Sequence, residues 1–246
     1  MNEAIAWLTS AATWQGETGI PFRLVEHILI SAVSVLIATV IALPIGLYIG
    51  HTGRGATAAI NIANVGRAVP SYAVIVIVLP ISLQLSPEYG LDLIPTLLAM
   101  VLLAIPPILV NAFAGLREVD RDLVEAARGM GMTERGILRR VEVPLAAPVI
   151  MGGFRTAVLN VIATATIGAV VGFGGLGRFI LDGRAKGIAG TGELIGGAIL
   201  VAVLAIGVDL LLAFWQRRLA RRADPQLPRA ETFADLAEVP VPRGLP

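Results

Sequence analysis

Cysteine is absent from the 246 residues, which excludes disulfides, thiolate nucleophiles and cysteine-based metal sites. Histidine occurs twice, at His27 and His51, far apart along the chain, so no metal site is expected. Lysine occurs once, at Lys186, and arginine supplies the rest of the positive charge; the formal net charge is +1. So small a balance offers no electrostatic footprint for nucleic acid. The chain also lacks a GxxxxGK[ST] phosphate loop, so it is expected not to hydrolyse ATP. GFGGLG at 172–177 holds several glycines but follows a long apolar run, where a dinucleotide fingerprint would follow a strand. No carboxylate pair or nucleophile–base set stands out, and an enzyme is not expected. Charge itself is scarce: 15% of residues are charged, against roughly 25% in soluble domains.

What fills the chain instead is apolar: 56% of residues are hydrophobic and the mean hydropathy is +0.80, so a multi-span membrane protein is the first reading. A helix needs about 20 apolar residues to cross the hydrocarbon core. Uncharged runs cover 28–49, 93–116 and 156–177, and 194–216 carries a single charge, Asp209. The stretch 56–85 is broken by Arg67 and Pro70 and reads as one span entered through a bend near Gly66–Pro70. Five spans result, near 26–49, 58–84, 93–115, 147–172 and 193–216. Backbone groups in lipid must bond within their own segment, so these runs predict an all-α polytopic bundle; the roughly ten-residue alternation of a membrane barrel is missing. No internal repeat is evident.

Basic residues in short loops orient such a bundle. With the N-terminus outside, the inner segments hold Arg54, Arg117, Arg121, Arg128, Arg135, Arg139, Arg140, Arg217, Arg218, Arg221 and Arg222. The outer segments hold only Arg23, Arg178, Arg184 and Lys186. The bias places 120–144 and the C-terminus in the cytoplasm. Residues 1–22 carry Glu3 and no basic n-region, unlike a secretory signal. Trp7 and Trp14 suit an interfacial segment, and a floppy extension is the alternative. Residues 218–246 form a tail whose five prolines from 224 onward predict disorder.

The densest charge lies in VEAARGMGMTERGILRRVEVPLAAP, 124–148. Asp120 can cap a helix over 121–128, Gly129 and Gly131 allow a turn with positive φ, and Thr133 can cap a second helix over 134–141. Pro144 and Pro148 are expected to stop that helix and start the next span. Leu123, Ala127 and Met130 fall at i, i+4 and i+7 and predict one apolar stripe. Such a hairpin either obeys the positive-inside rule as an ordinary polar loop or inserts into a groove on a partner.

Glu125-Ala126-Ala127, three residues, Gly131, nine residues and Val141-Glu142-Val143-Pro144 resemble the EAA motif of ABC importer permeases, with valine at both the Ile and Leu positions of that motif. LVEHILIS, ALPIGLYIG and GRAVPSYAVIVIVLP along the first two spans are similar to the osmoprotectant permeases; GAVVGFGGLGRFILDG is shared with methionine-type permeases. The resemblance covers about 24–217. It implies a type I importer of methionine-permease-like architecture, in the plasma or inner membrane, with its permease domain over 23–217. It also implies that 120–144 forms coupling helices in which Leu123, Glu125, Ala126, Ala127, Gly131 and Pro144 meet a cytoplasmic ATP-binding subunit dimer, which holds the ATP and Mg; no cofactor is bound by this chain. The further partners implied are a second permease copy, identical or similar, an extracytoplasmic substrate-binding protein and membrane lipid. The cargo implied is glycine betaine, choline, carnitine or a related quaternary amine. Methionine or another amino acid is the alternative, and a structural or regulatory membrane subunit without a transport path is the rival from another class.

Quaternary ammonium groups favour aromatic cages, yet only 5% of residues are aromatic. A weak, uncharged path is therefore expected here, with capture left to a partner. Asn160 and Thr164, four apart on one helix face, are candidates to line it with Thr166 and with Pro70 and Ser71 at the bend. Alternatively these hydroxyls bond backbone carbonyls. Charges inside spans are expensive and invite a partner. Arg155 and Asp209 fall at similar depth and are expected to approach each other, or one of them Arg67; snorkelling is the alternative. Gly152, Gly153, Gly168, Gly172, Gly196 and Gly197 permit close packing or let a gate flex.

Overall fold

The computed structural model describes residues 2–86 and 88–223; for residues 62, 63, 65, 67 and 68 it describes the backbone alone. Among the described residues every regular element is helical. A short α1 (Asn2–Thr9) and a 3₁₀ turn precede α2 (Ile20–Thr52). Then come α3 (Ala56–Ala68), α4 (Ser71–Leu85), α5 (Leu93–Glu118), α6 (Arg121–Gly129) and α7 (Glu134–Ile137). A π turn (Leu138–Glu142) leads into α8 (Val143–Gly168), and α9 (Gly177–Ala185) and α10 (Thr191–Ala223) close the chain.

Among the described residues four helical stretches are each long and apolar enough to cross a membrane: Ile20–Thr52, Leu93–Glu118, Glu134–Val171 and Gly187–Ala223. The stretch expected as a bent fifth span is two separate helices. Proline restricts the residue before it to extended backbone, and Pro70 itself is extended (φ −62°, ψ 131°), so the helix cannot run through 69–70. His51 at the end of α2 lies against Glu142, whereas Asp92 at the start of α5 lies beside Gly172, so α3 and α4 together make the return crossing, broken at 69–70.

α5 is the hub, packing against α2, α3, α4 and α8. Ala38 and Ala42 of α2, Ala104 and Ala112 of α5, and Ala157 and Ala165 of α8 are fully buried. Small residues along the seams let helix axes approach. Gly153 makes the point: a Cβ there would run into Asn111 and the Pro107 carbonyl of α5, so packing is its role. α10 leans on α8, α9 and α1. The N-terminal segment is packed on the bundle: Trp7 meets Phe179 edge-to-face at 5.0 Å, and its ring fills the space a Cβ on Gly196 would need. Trp14 stays half exposed. Arg218–Ala223, expected as part of the tail, complete the last turns of α10; the expected disorder of 224–246 falls outside the described residues.

Candidate functional site

One end of the bundle carries an elbow built from α6, α7 and the π turn. Asp120 Oδ1 accepts from the Asp122 N–H at 2.9 Å and starts α6. The helix ends on a paired motif: Met132 N–H reaches Ala127 O (3.1 Å) and Gly131 N–H reaches Arg128 O (3.0 Å). Gly131 sits between them at φ +82°. This is the 6→1 and 5→2 bonding of a Schellman close, which needs left-handed backbone at the fifth residue. The spacing from Ala127 to Gly131 is thereby explained by helix termination. Gly129, expected to share the positive-φ turn, is instead the last residue of α6. Thr133 Oγ1 then accepts from the Gly136 N–H at 3.2 Å and starts α7.

Two expectations about this region do not hold. Pro144 and Pro148 do not separate α7 from the following span. Pro144 falls in the first turn of α8, where a missing N–H costs least, and the Val143 N–H bonds back to Leu138 O through the π turn, so 134–171 continues as one rod. Nor do Leu123, Ala127 and Met130 share one face. Val124 and Ala127 are buried in a small core with Leu116, Val119, Ile137 and Ala146, whereas Leu123 and Met130 are 50% and 77% exposed. Glu125, Ala126 and Pro144 are exposed as well. Short loops at both ends of a nine-residue helix roll it, so its core face is set by tertiary packing rather than by local period.

Charged side chains brace the elbow. Arg128 donates to both oxygens of Glu134, Nε to Oε1 at 2.8 Å and Nη2 to Oε2 at 3.1 Å. That hydrogen bond, with the charge behind it, lowers the Glu134 carboxyl from its ordinary value and raises the Arg128 guanidinium. His51, at the end of α2, places Nε2 3.4 Å from Glu134 Oε2 and Nδ1 2.5 Å from Glu142 Oε2. Glu142 is buried. At the far end of α2, Glu26 Oε2 accepts from the Gly175 N–H at 2.7 Å and from Arg23 Nη1 at 2.9 Å. His27 Nδ1 accepts from the Leu176 N–H at 3.3 Å, which leaves Nε2–H to donate to Ile162 O at 3.2 Å. The glycine turn at 172–177 is thus held against α2 and α8.

Between the ends, a cavity of about 440 Å³ opens among α3, α4, α5 and α8, within the roughly 300–1,000 Å³ of small-molecule sites. Ser71, Asn160 and Thr164 line it, with Asn111 and Thr156, against Leu103, Pro106 and Pro107. No charged or aromatic side chain is among these described walls. Thr156, Asn160 and Thr164 recur every four residues and form one stripe. Thr166 turns elsewhere and bonds Ile162 O at 3.3 Å, because two residues past Thr164 rotate it by about 200°. Pro70 caps α4 beside the cavity rather than lining it. Asn111 is a wall residue that sequence reasoning missed; the signal is a lone amide four residues past Pro107 in an otherwise apolar run, and its Nδ2 donates to Pro107 O at 2.8 Å.

Arg155 and Asp209 meet in bidentate geometry, Nε to Oδ1 at 2.5 Å and Nη2 to Oδ2 at 2.7 Å, both half-buried. Gln216 donates to Pro148 O at 3.1 Å alongside. Together they join α10 to α8. Arg67, the alternative partner, lies outside the described side chains.

The family described as "binding-protein-dependent transport system inner membrane component" matches residues 42–225. The choline transport system permease protein OpuBB of Bacillus subtilis is 36% identical over 198 residues, covering 80% of this chain and 87% of that protein. The carnitine transport permease protein OpuCD of Listeria monocytogenes is 38% identical over 208 residues, covering 85% and 90%. Among solved structures, an inward-facing MetNI methionine ABC transporter chain superposes with a TM-score of 0.68 at 24% identity, covering 79% of this chain and 93% of that chain.

Proposed function

The chain belongs to the binding-protein-dependent transport system inner membrane components, and from that premise we propose that it carries a quaternary-amine osmoprotectant inward, driven by a separate ATPase that grips the elbow. It is the permease subunit of an ABC importer, embedded in the membrane by several passes. The cargo reading draws on the choline and carnitine relatives and on the cavity. Its described walls are uncharged and mildly polar, matched to a solute such as glycine betaine whose own charges cancel. Walls without aromatic groups hold a quaternary ammonium weakly, which suits passage and leaves capture to an extracytoplasmic binding protein.

The observation that carries the coupling reading is the elbow's surface. Leu123, Glu125, Ala126 and Met130 stand exposed on a helix whose other face is welded to α5 and α8 by its own small core. A force applied to that surface reaches the spans without loss in a loose loop. We place the elbow in the cytoplasm and the N-terminus outside, following the arginine bias; the chain itself supplies no ATPase site, and ATP with Mg binds the partner. A second permease copy, identical or similar, completes the path.

The test is uptake into proteoliposomes holding the intact complex with its ATPase and binding protein. Glycine betaine, choline or carnitine should accumulate only with ATP and should compete with one another. Accumulation of methionine without competition from these amines would transfer the reading to amino acids. ATP-independent binding with no uptake of any of them would leave a non-transporting subunit.

A further inference from the structure

His51 ends α2, and its imidazole stands between two carboxylates that belong to the elbow. Glu142 is 1% exposed and has Nδ1 of His51 2.5 Å away; Glu134 is half exposed, faces Nε2 at 3.4 Å, and is held in turn by Arg128 of α6. Arg128, Glu134, His51 and Glu142 therefore form one chain of polar contacts. It runs from α6 through α7 to the end of α2 and into the turn that starts α8. Arg117 of α5 closes the same corner, packed where a Cβ on Gly53, the cap of α2, would lie. Nδ1 of the ring is within hydrogen-bonding distance of Glu142 Oε2, and Nε2 faces Glu134. A buried carboxyl oxygen left without its hydrogen-bond partner carries a cost. α2 and the first turn of α8 are in this way obliged to keep together.

We propose that His51 is a positioning residue of the transport cycle, a cross-tie that makes α2 move with the elbow whenever the elbow is displaced. The inference rests on the reading of α6 as the ATPase contact. It makes α2 a transmission element, because the other end of that helix, 24 residues and about 36 Å away by helical rise, holds the glycine turn through Glu26 and His27. A displacement at the elbow is thus delivered to the opposite mouth of the bundle along a single rod. Without the cross-tie, α2 joins the elbow through Leu47 at the edge of the small core and through its packing on α5.

The lack of native cysteine allows a direct experiment on the assembled complex in proteoliposomes. The cargo is whichever of betaine, choline, carnitine or methionine stimulates ATP hydrolysis most. His51→Cys and Glu142→Cys should each raise the ATP consumed per solute moved by about fivefold or more, the size of a lost coupling interaction. The KM for the cargo and ATPase co-purification should stay unchanged, which a general loss of fold would not permit. In the double variant His51→Cys/Glu142→Cys, joining the thiols with a bifunctional reagent of matching length should bring the ratio back toward wild type. Glu142→Gln keeps volume and one hydrogen bond and carries the same expectation at smaller size, should the cysteine variants fail to accumulate. Wild-type coupling in the single variants, or no recovery on joining the thiols, overturns the cross-tie. Ala126→Trp separates this from the underlying reading. If it leaves ATPase binding intact, the elbow is not the contact; if it blocks binding while His51→Cys stays coupled, the cross-tie alone is wrong.

Discussion

Gly131 accounts for the spacing of the elbow's motif in conformational terms. It closes α6 at φ +82°, and a Cβ there would touch nothing within 4 Å. Gly131→Ala should therefore cost only the left-handed backbone, about 1 kcal/mol, read as faster amide exchange at Met130–Met132 with the spans unaffected; unchanged exchange would contradict this. Glu134 provides a second test at this scale. Arg128 holds its carboxyl below the ordinary value, so the bond is fully present above about pH 4.3, the ordinary glutamate value. It is lost only as pH falls through the lower, folded value. Exchange at Gly136 should show an acid-side rise that is missing in Glu134→Gln; a wild-type rise beginning above the ordinary value would give the sign the other way.

At the scale of elements, the bond between α8 and α10 is the clearest case. Removing one partner leaves a charge facing lipid or protein alone, whereas removing both leaves an apolar seam. Arg155→Leu and Asp209→Leu should each lower the folded yield in membranes, and the double variant should recover much of it. A double variant worse than either single would contradict the pairing. Helix types and most boundaries were legible because long uncharged runs leave no other structure in lipid. The proximity of Arg155 and Asp209 was legible too, since helical rise alone sets their depth. The roll of α6 was not: Leu123, Ala127 and Met130 are equally apolar in sequence, and only the core of Leu116, Ile137 and Ala146 decides which of them turns inward. The π turn was hidden for a related reason, because a proline pair reads as a stop unless the preceding carbonyls find other donors.

The whole molecule is a rod bundle with a braced elbow at one end and a tethered glycine turn at the other, enclosing a cavity halfway. Thr156, Asn160 and Thr164 mark that cavity in sequence as a four-residue stripe, but Asn111 enters from another helix and depends on how α5 packs against α8. Asn111→Leu and Asn160→Leu should each raise the KM for cargo about fivefold, the worth of one hydrogen bond of about 1 kcal/mol, without altering ATPase assembly; unchanged KM in both would remove the cavity from the path. The elbow is the proposed point of action of the ATPase, and the cysteine-free chain permits one decisive measurement of it. With single cysteines introduced by Ala126→Cys on the elbow and by Ile188→Cys, 90% exposed at the opposite end, a short cross-linker should join the ATPase subunit to the first and never to the second. A link through position 188, or none through position 126 in an assembled and active complex, would contradict the account.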